Sequence, residues 1–81
     1  MMSNPDWGAA LKILRVARKL TQEDVASGTD FDKSYISLLE HGSRTPSLEA
    51  VGRLCSVLRV SHSDLVRIAE DPPAALGIAA A

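Results

Sequence analysis

Residues 21–40 read TQEDVASGTDFDKSYISLLE, and their patterning decides how the rest of the chain is understood. Two short helices joined by a tight turn account for the stretch. Val25, Ala26, Ile36 and Leu39 fall on inward positions, whereas Lys33, Ser34, Tyr35 and Ser37 give the second helix hydrogen-bonding groups. Thr21 serves as the first cap, and Asp24 three residues later makes a short capping box. This helix ends near Gly28 and Thr29. Asp30 takes the left-handed turn position, which Asp tolerates better than most non-glycine residues. Asp32 is expected to cap the second helix, which runs from about Lys33 to His41 and stops at Gly42. Ala26 is small enough for the two helices to cross closely.

The flanking sequence continues in helical period. Asn4-Pro5-Asp6 is a helix start, with Asn4 as cap and Pro5 at the first position. The helix that follows extends to about Leu20. Ala10, Ile13, Leu14, Val16, Ala17 and Leu20 are assigned to its apolar side, and Lys12, Arg15 and Lys19 to the opposite stripe. Downstream, Ser47 and Glu49 open a helix with Leu48, Val51, Leu54, Cys55 and Leu58 on one face. Ser61 with Asp64 opens another, carrying Leu65, Val66, Ile68 and Ala69, which Asp71-Pro72-Pro73 terminates. Alternating β-branched runs are nearly absent. The expected fold is all-α: a compact five-helix domain over residues 1–71, followed by a tail over 72–81. For the segment AALGIAAA, a frayed end and a short extra helix both stay open.

Composition narrows the function classes. With 81 residues there is one core, and a domain so small gains from devices such as dimerisation. The net charge of −1 argues against a purely electrostatic polyanion binder. Positive charge nevertheless gathers in Lys12, Arg15, Arg18, Lys19, Lys33 and Arg44, while Glu49, Asp64, Glu70 and Asp71 come later. The lone Cys55 excludes an internal disulfide and suits a reducing cytosol. No secretory leader and no run of roughly 20 apolar residues is present, so a soluble, cytoplasmic protein without a membrane partner is expected. An enzyme is not expected. Cys55 belongs to an apolar stripe, His41 and His62 lack zinc-ligand spacing, and no phosphate loop or carboxylate pair is present. No cofactor or metal follows from these residues.

On a wheel with Ile36 inward, Leu39 and Glu40 flank it, while Ser34, Ser37, Leu38 and His41 face away. Lys33 sits at the N-terminal tip. This outward strip is polar and nearly free of acid, and its length of about 13 Å suits a major groove about 12 Å wide. Lys33 has the chemistry to donate to guanine or neutralise a phosphate, and Ser34 and Ser37 to bond base edges. Leu38 can touch a thymine methyl group. Tyr35 sits on the flank, where its hydroxyl can reach a phosphate. Gln22 offers an amide donor at a helix N-terminus, and Arg44 and Thr45 extend the strip. The competing reading of such a face is ordinary solvation.

LKILRVARKLTQEDVA, SYISLLEHGSRTPSLEAV and LCSVLRVSHSDLV together resemble the lambda-repressor/Cro-type, or Xre, helix-turn-helix family from about Leu11 to Val66. The combination of TQE, SYIS, a Glu, and a Gly before R-x-P-S-L is specific. The resemblance implies a double-stranded DNA partner. It assigns Gln22 to backbone or base contact, Lys33, Ser34, Ser37 and Leu38 to base-facing positions, and Tyr35, Arg44 and Thr45 to phosphates. It also implies an Arg15–Glu40 salt bridge between the first and third helices. Two departures concern turns: Asp30 and Arg59 stand where the family carries glycine. FDKSYISLLEHGSR further resembles the small controller proteins of restriction–modification systems, which act as dimeric regulators.

A single short reading helix implies a homodimeric transcriptional regulator on an inverted-repeat operator. Val60, Leu65 and Val66 are the candidate dimer contacts, although core packing is favoured for Leu65. The rival reading is an antitoxin-like protein-interaction module, in which the last helix and the tail hold a protein partner.

Overall fold

Five helices and no strand make up residues 5–72, the part of the chain that the computed structural model describes. They are α1 (Trp7–Ala17), α2 (Gln22–Thr29), α3 (Lys33–Glu40), α4 (Leu48–Leu58) and α5 (His62–Glu70). This is the all-α architecture expected. The AALGIAAA segment lies outside the described residues, as does Asn4. Asp6 is the residue that caps α1, accepting the Ala9 N–H at 3.0 Å. Its own N–H donates to the Ala69 carbonyl at 2.7 Å, which ties the start of α1 to the end of α5.

Helix α1 is shorter than its sequence pattern suggests. Lys19 enters the left-handed region at φ 60°. Its N–H donates to Val16 O at 3.0 Å, and the Leu20 N–H to Arg15 O at 2.9 Å. These two bonds close a Schellman-type end before Leu20 is reached. The inward face is also rotated from the expected one. Leu11 is buried, whereas Val16 is 58% exposed and Ala17 lies on the surface. Ala10, Leu11 and Leu14 define the buried side, and Val16 stands about 160° around the helix from Leu14.

The remaining ends follow local chemistry. Thr21 Oγ1 accepts from Asp24 N at 3.0 Å while Asp24 Oδ2 accepts from Thr21 N at 2.8 Å, completing the capping box. Asp30 takes the left-handed position at φ 64°. Asp32 occupies the cap position of α3, but its side chain makes no cap bond. The Tyr35 N–H, which such a cap would take, donates instead to the Asp32 backbone carbonyl at 3.0 Å. Gly42 ends α3 at φ 78°, a conformation that suits glycine. Ser47 and Ser61 cap α4 and α5 through their hydroxyls. Arg59 closes α4 in the left-handed region at φ 56°. Leu48 departs from the apolar face expected for α4: it is 90% exposed, and Ala50 takes the inward place.

α3 packs on α1 and α2, while α4 backs α2 and α5 backs α1. The core they enclose contains Leu11, Leu14, Val25, Ile36, Leu39, Leu54, Leu58 and Leu65. Gly8 sets how closely α1 meets the end of α3. A Cβ there would lie 2.6 Å from the carbonyl oxygens of both Leu39 and Glu40. Among the described residues, no helix is long and apolar enough to cross a membrane.

Candidate nucleic-acid interface

The orientation of α3 is held by one carboxylate. Glu40 Oε2 accepts from Arg15 Nε at 2.6 Å, and Glu40 Oε1 accepts from Arg15 Nη2 at 3.1 Å. The same Oε1 accepts from Gln22 Nε2 at 3.1 Å. Arg15 Nη1 donates to the Leu20 carbonyl at 2.9 Å. The Arg15 and Glu40 side chains are only 14% and 5% exposed. A buried ion pair contributes little unless its remaining groups are bonded, and here they are. Since α1, α2 and α3 each contribute, the network fixes the rotation of α3 against both neighbours.

That rotation decides which side chains reach solvent. Ile36 and Leu39 are buried. Lys33, Ser34 and Leu38 are exposed, as are Arg44 and Thr45 in the loop that follows, while Tyr35 and Ser37 are half-buried. The structure therefore gathers Lys33, Ser34, Ser37 and Leu38 on the free side of one helix. Leu38 is 40% exposed, apolar surface that the core does not need. His41 at the end of α3 donates its Nδ1 proton to the Ser37 carbonyl at 2.9 Å. Arg44 and Thr45 line a shallow cleft against Asp6 and Trp7 at the start of α1. Gln22 is half-buried, with its amide nitrogen turned to Glu40. One amide N–H thus remains for an outside acceptor.

The cations do not all belong to this face. Arg15 is spent on Glu40, and Arg18 donates from Nε to the Leu58 carbonyl at 2.8 Å, closing the end of α4. Lys33 at the start of α3 and Arg44 in the loop that follows it are exposed at the two ends of the outward strip. Among the dimer candidates, Leu65 is 2% exposed and supports the core, so it offers no surface to a second copy. Val66 is 36% exposed and Val60 half-buried.

Sequence reasoning missed a cluster beside the turn. Phe31 and Tyr35 meet edge to face, with ring centroids 5.0 Å apart and an interplanar angle of 72°. The Arg53 guanidinium stands 5.2 Å from the Phe31 centroid. Arg53 also donates to the Thr29 carbonyl at 3.0 Å and to Glu49 Oε1 at 2.9 Å. The only signal in the sequence was an aromatic one residue after the turn residue.

Two titrating groups are displaced. The backbone N–H of Thr21, helped by its hydroxyl, holds the Asp24 carboxyl below the ordinary carboxylate value. Burial pushes the Cys55 thiol up, which suits a core residue and not a nucleophile. Among the described residues, no group of three His, Cys, Asp or Glu side chains converges to hold a metal.

Comparison with known proteins places this geometry. Residues 6–68 match the model of a helix-turn-helix domain family. The uncharacterised HTH-type transcriptional regulator y4dJ of Sinorhizobium fredii is 36% identical over 66 residues, covering 82% of this chain and 86% of that protein. The cryptic phage CTXphi transcriptional repressor RstR of Vibrio cholerae is 34% identical over 64 residues, covering 79% of this chain. In that case the chain spans 58% of its relative's length. The crystal structure of the restriction–modification controller protein C.AhdI from Aeromonas hydrophila superposes with a TM-score of 0.71 at 33% identity. The match covers 74% of this chain and 91% of C.AhdI.

Proposed function

This chain belongs to the helix-turn-helix domain family, and from that premise we propose that it regulates transcription by seating α3 in the major groove of DNA. The observation that carries the reading is the free face of α3. Lys33, Ser34 and Leu38 are exposed on it, no acidic side chain shares it, and the Arg15–Glu40–Gln22 network locks its rotation. The regulator names of y4dJ and RstR support the same reading.

Each candidate takes a role by its chemistry. Lys33, Ser34, Ser37 and Leu38 face base edges. Gln22, Tyr35, Arg44 and Thr45 bind phosphates, Gln22 through the amide N–H not given to Glu40. Residues 1–71 form the binding unit. Two copies act together on an inverted repeat, because one eight-residue helix spans only a few base pairs. A two-fold pair would set its reading helices about 34 Å apart. Val60 and Val66 are the contacts between copies. No catalytic step enters this reading.

A gel-shift titration with DNA from upstream of the protein's own gene tests it, alongside sedimentation across concentration. A sequence-selective shift with two protomers per duplex is expected. Equal binding to scrambled DNA, or selective binding by a single protomer, would contradict it.

A further inference from the structure

The geometry points to Arg53 as a positioning residue for Tyr35, acting through the Phe31 ring, so that a residue on α4 outside the reading helix sets DNA affinity. This rests on the proposed phosphate role of Tyr35. Tyr35 lies in the first turn of α3, between exposed Ser34 and buried Ile36, about 100° around the helix from the latter. It is half-buried, so its rotamer is decided by what its ring packs against. That partner is Phe31, met edge to face at 5.0 Å.

Phe31 has a second partner of its own. The Arg53 guanidinium lies 5.2 Å from its centroid, within the range in which a cation is attracted to an aromatic face. Arg53, whose side chain is 41% exposed, is held at two points. One of its terminal nitrogens holds the last carbonyl of α2, at Thr29, and the other holds Glu49 one turn earlier on α4. A planar fork can bond both groups and still stack on a ring, whereas a lysine ammonium cannot. The chain of contacts therefore runs from α4 through the turn between α2 and α3 to Tyr35. Neither Arg53 nor Phe31 needs to touch DNA. The contribution is pre-organisation: a hydroxyl already held in place loses less freedom when it meets a phosphate.

The test is a double-mutant cycle read by fluorescence anisotropy against a duplex that the parent protein selects from random-sequence DNA. Arg53→Ala should lower affinity about fivefold to tenfold, the worth of roughly one hydrogen bond. In a Tyr35→Phe background the same change should cost less than about twofold, because the hydroxyl it positions is gone. Phe31→Leu, which keeps the Arg53 hydrogen bonds but removes the ring, should show the same dependence on Tyr35. Thermal midpoints measured on every variant separate this from loss of fold. Equal affinity losses in both backgrounds would overturn the positioning role while leaving DNA reading intact. A parent protein that selects no sequence would overturn the DNA reading and this role with it.

Discussion

Arg15 on α1 meets Glu40 at the end of α3 fork to carboxylate, at 2.6 and 3.1 Å, and both side chains are nearly shut off from solvent. The pair joins the first helix to the helix whose free face carries the candidate contacts. Because Gln22 bonds the same carboxylate, a change at Glu40 reaches the start of α2 as well.

Glu40→Ala should therefore cost more than a surface pair would. It leaves the Arg15 guanidinium buried and half-satisfied, for which a loss of about 3–5 kcal/mol is expected. Urea unfolding of parent and variant measures it. A change within about 0.5 kcal/mol, the range typical of surface substitutions, would show that the pair does not hold α3.

Gly8→Ala should destabilise the fold even though alanine is the better helix former. The added methyl would meet the carbonyl oxygens of Leu39 and Glu40 at 2.6 Å, and these are backbone atoms that cannot turn aside. Overpacking of this kind costs about 1–3 kcal/mol, against about 1 kcal/mol gained in propensity. Thermal denaturation should show a lowered midpoint. A raised one would mean that α1 can move off α3 freely.

The capping box of α2 should make stability depend on acid. The folded carboxyl of Asp24 titrates below its ordinary value of 3.8, so the native state favours the charged form. Its contribution is fully present above the unfolded pKa and is lost as pH falls through the lower, folded value. Asp24→Asn should accordingly be less stable than the parent near neutrality, with the gap closing as the medium is acidified. Denaturant midpoints across that range give the answer, and a gap independent of pH would exclude the linkage.

Much of this was legible beforehand, and the failures have causes. Caps at Thr21, Ser47 and Ser61 could be read because a hydroxyl three residues ahead of a free N–H is a local matter. Asp30 is readable as a turn because the helical pattern stops there, whereas Arg59 is marked as one only by the glycine that the resembled family carries at its place. Val16 and Leu48 differ from their pattern for another reason: an apolar residue near the edge of a stripe belongs to either face until the neighbouring helix is known. The helical pattern runs past the end of α1 because Lys19, unlike glycine, gives no sign of a left-handed turn. The Arg53–Phe31–Tyr35 cluster brings together residues from α4, the turn and α3, and no periodicity within one helix can announce it.

Contacts to phosphates and to bases should separate by their response to salt and sequence. Arg44→Ala should weaken binding to all duplexes alike and reduce the salt slope by about one. Lys33→Ala or Ser37→Ala should instead alter preference at a base position by about 1–3 kcal/mol. Affinities measured at several salt concentrations on a panel of single-base operator variants distinguish the two classes. An unchanged slope for Arg44→Ala, or unchanged preferences for the α3 variants, would reassign those residues.

The most direct measurement of the central claim is dimethyl sulfate protection of guanine N7, a major-groove atom, on a duplex bound by the protein. The free face of α3 predicts two protected clusters about 10 base pairs apart, with protection lost when Lys33 and Ser37 are both replaced by alanine. Tight binding without N7 protection, or protection that survives the double replacement, would contradict the placement of α3 in the groove.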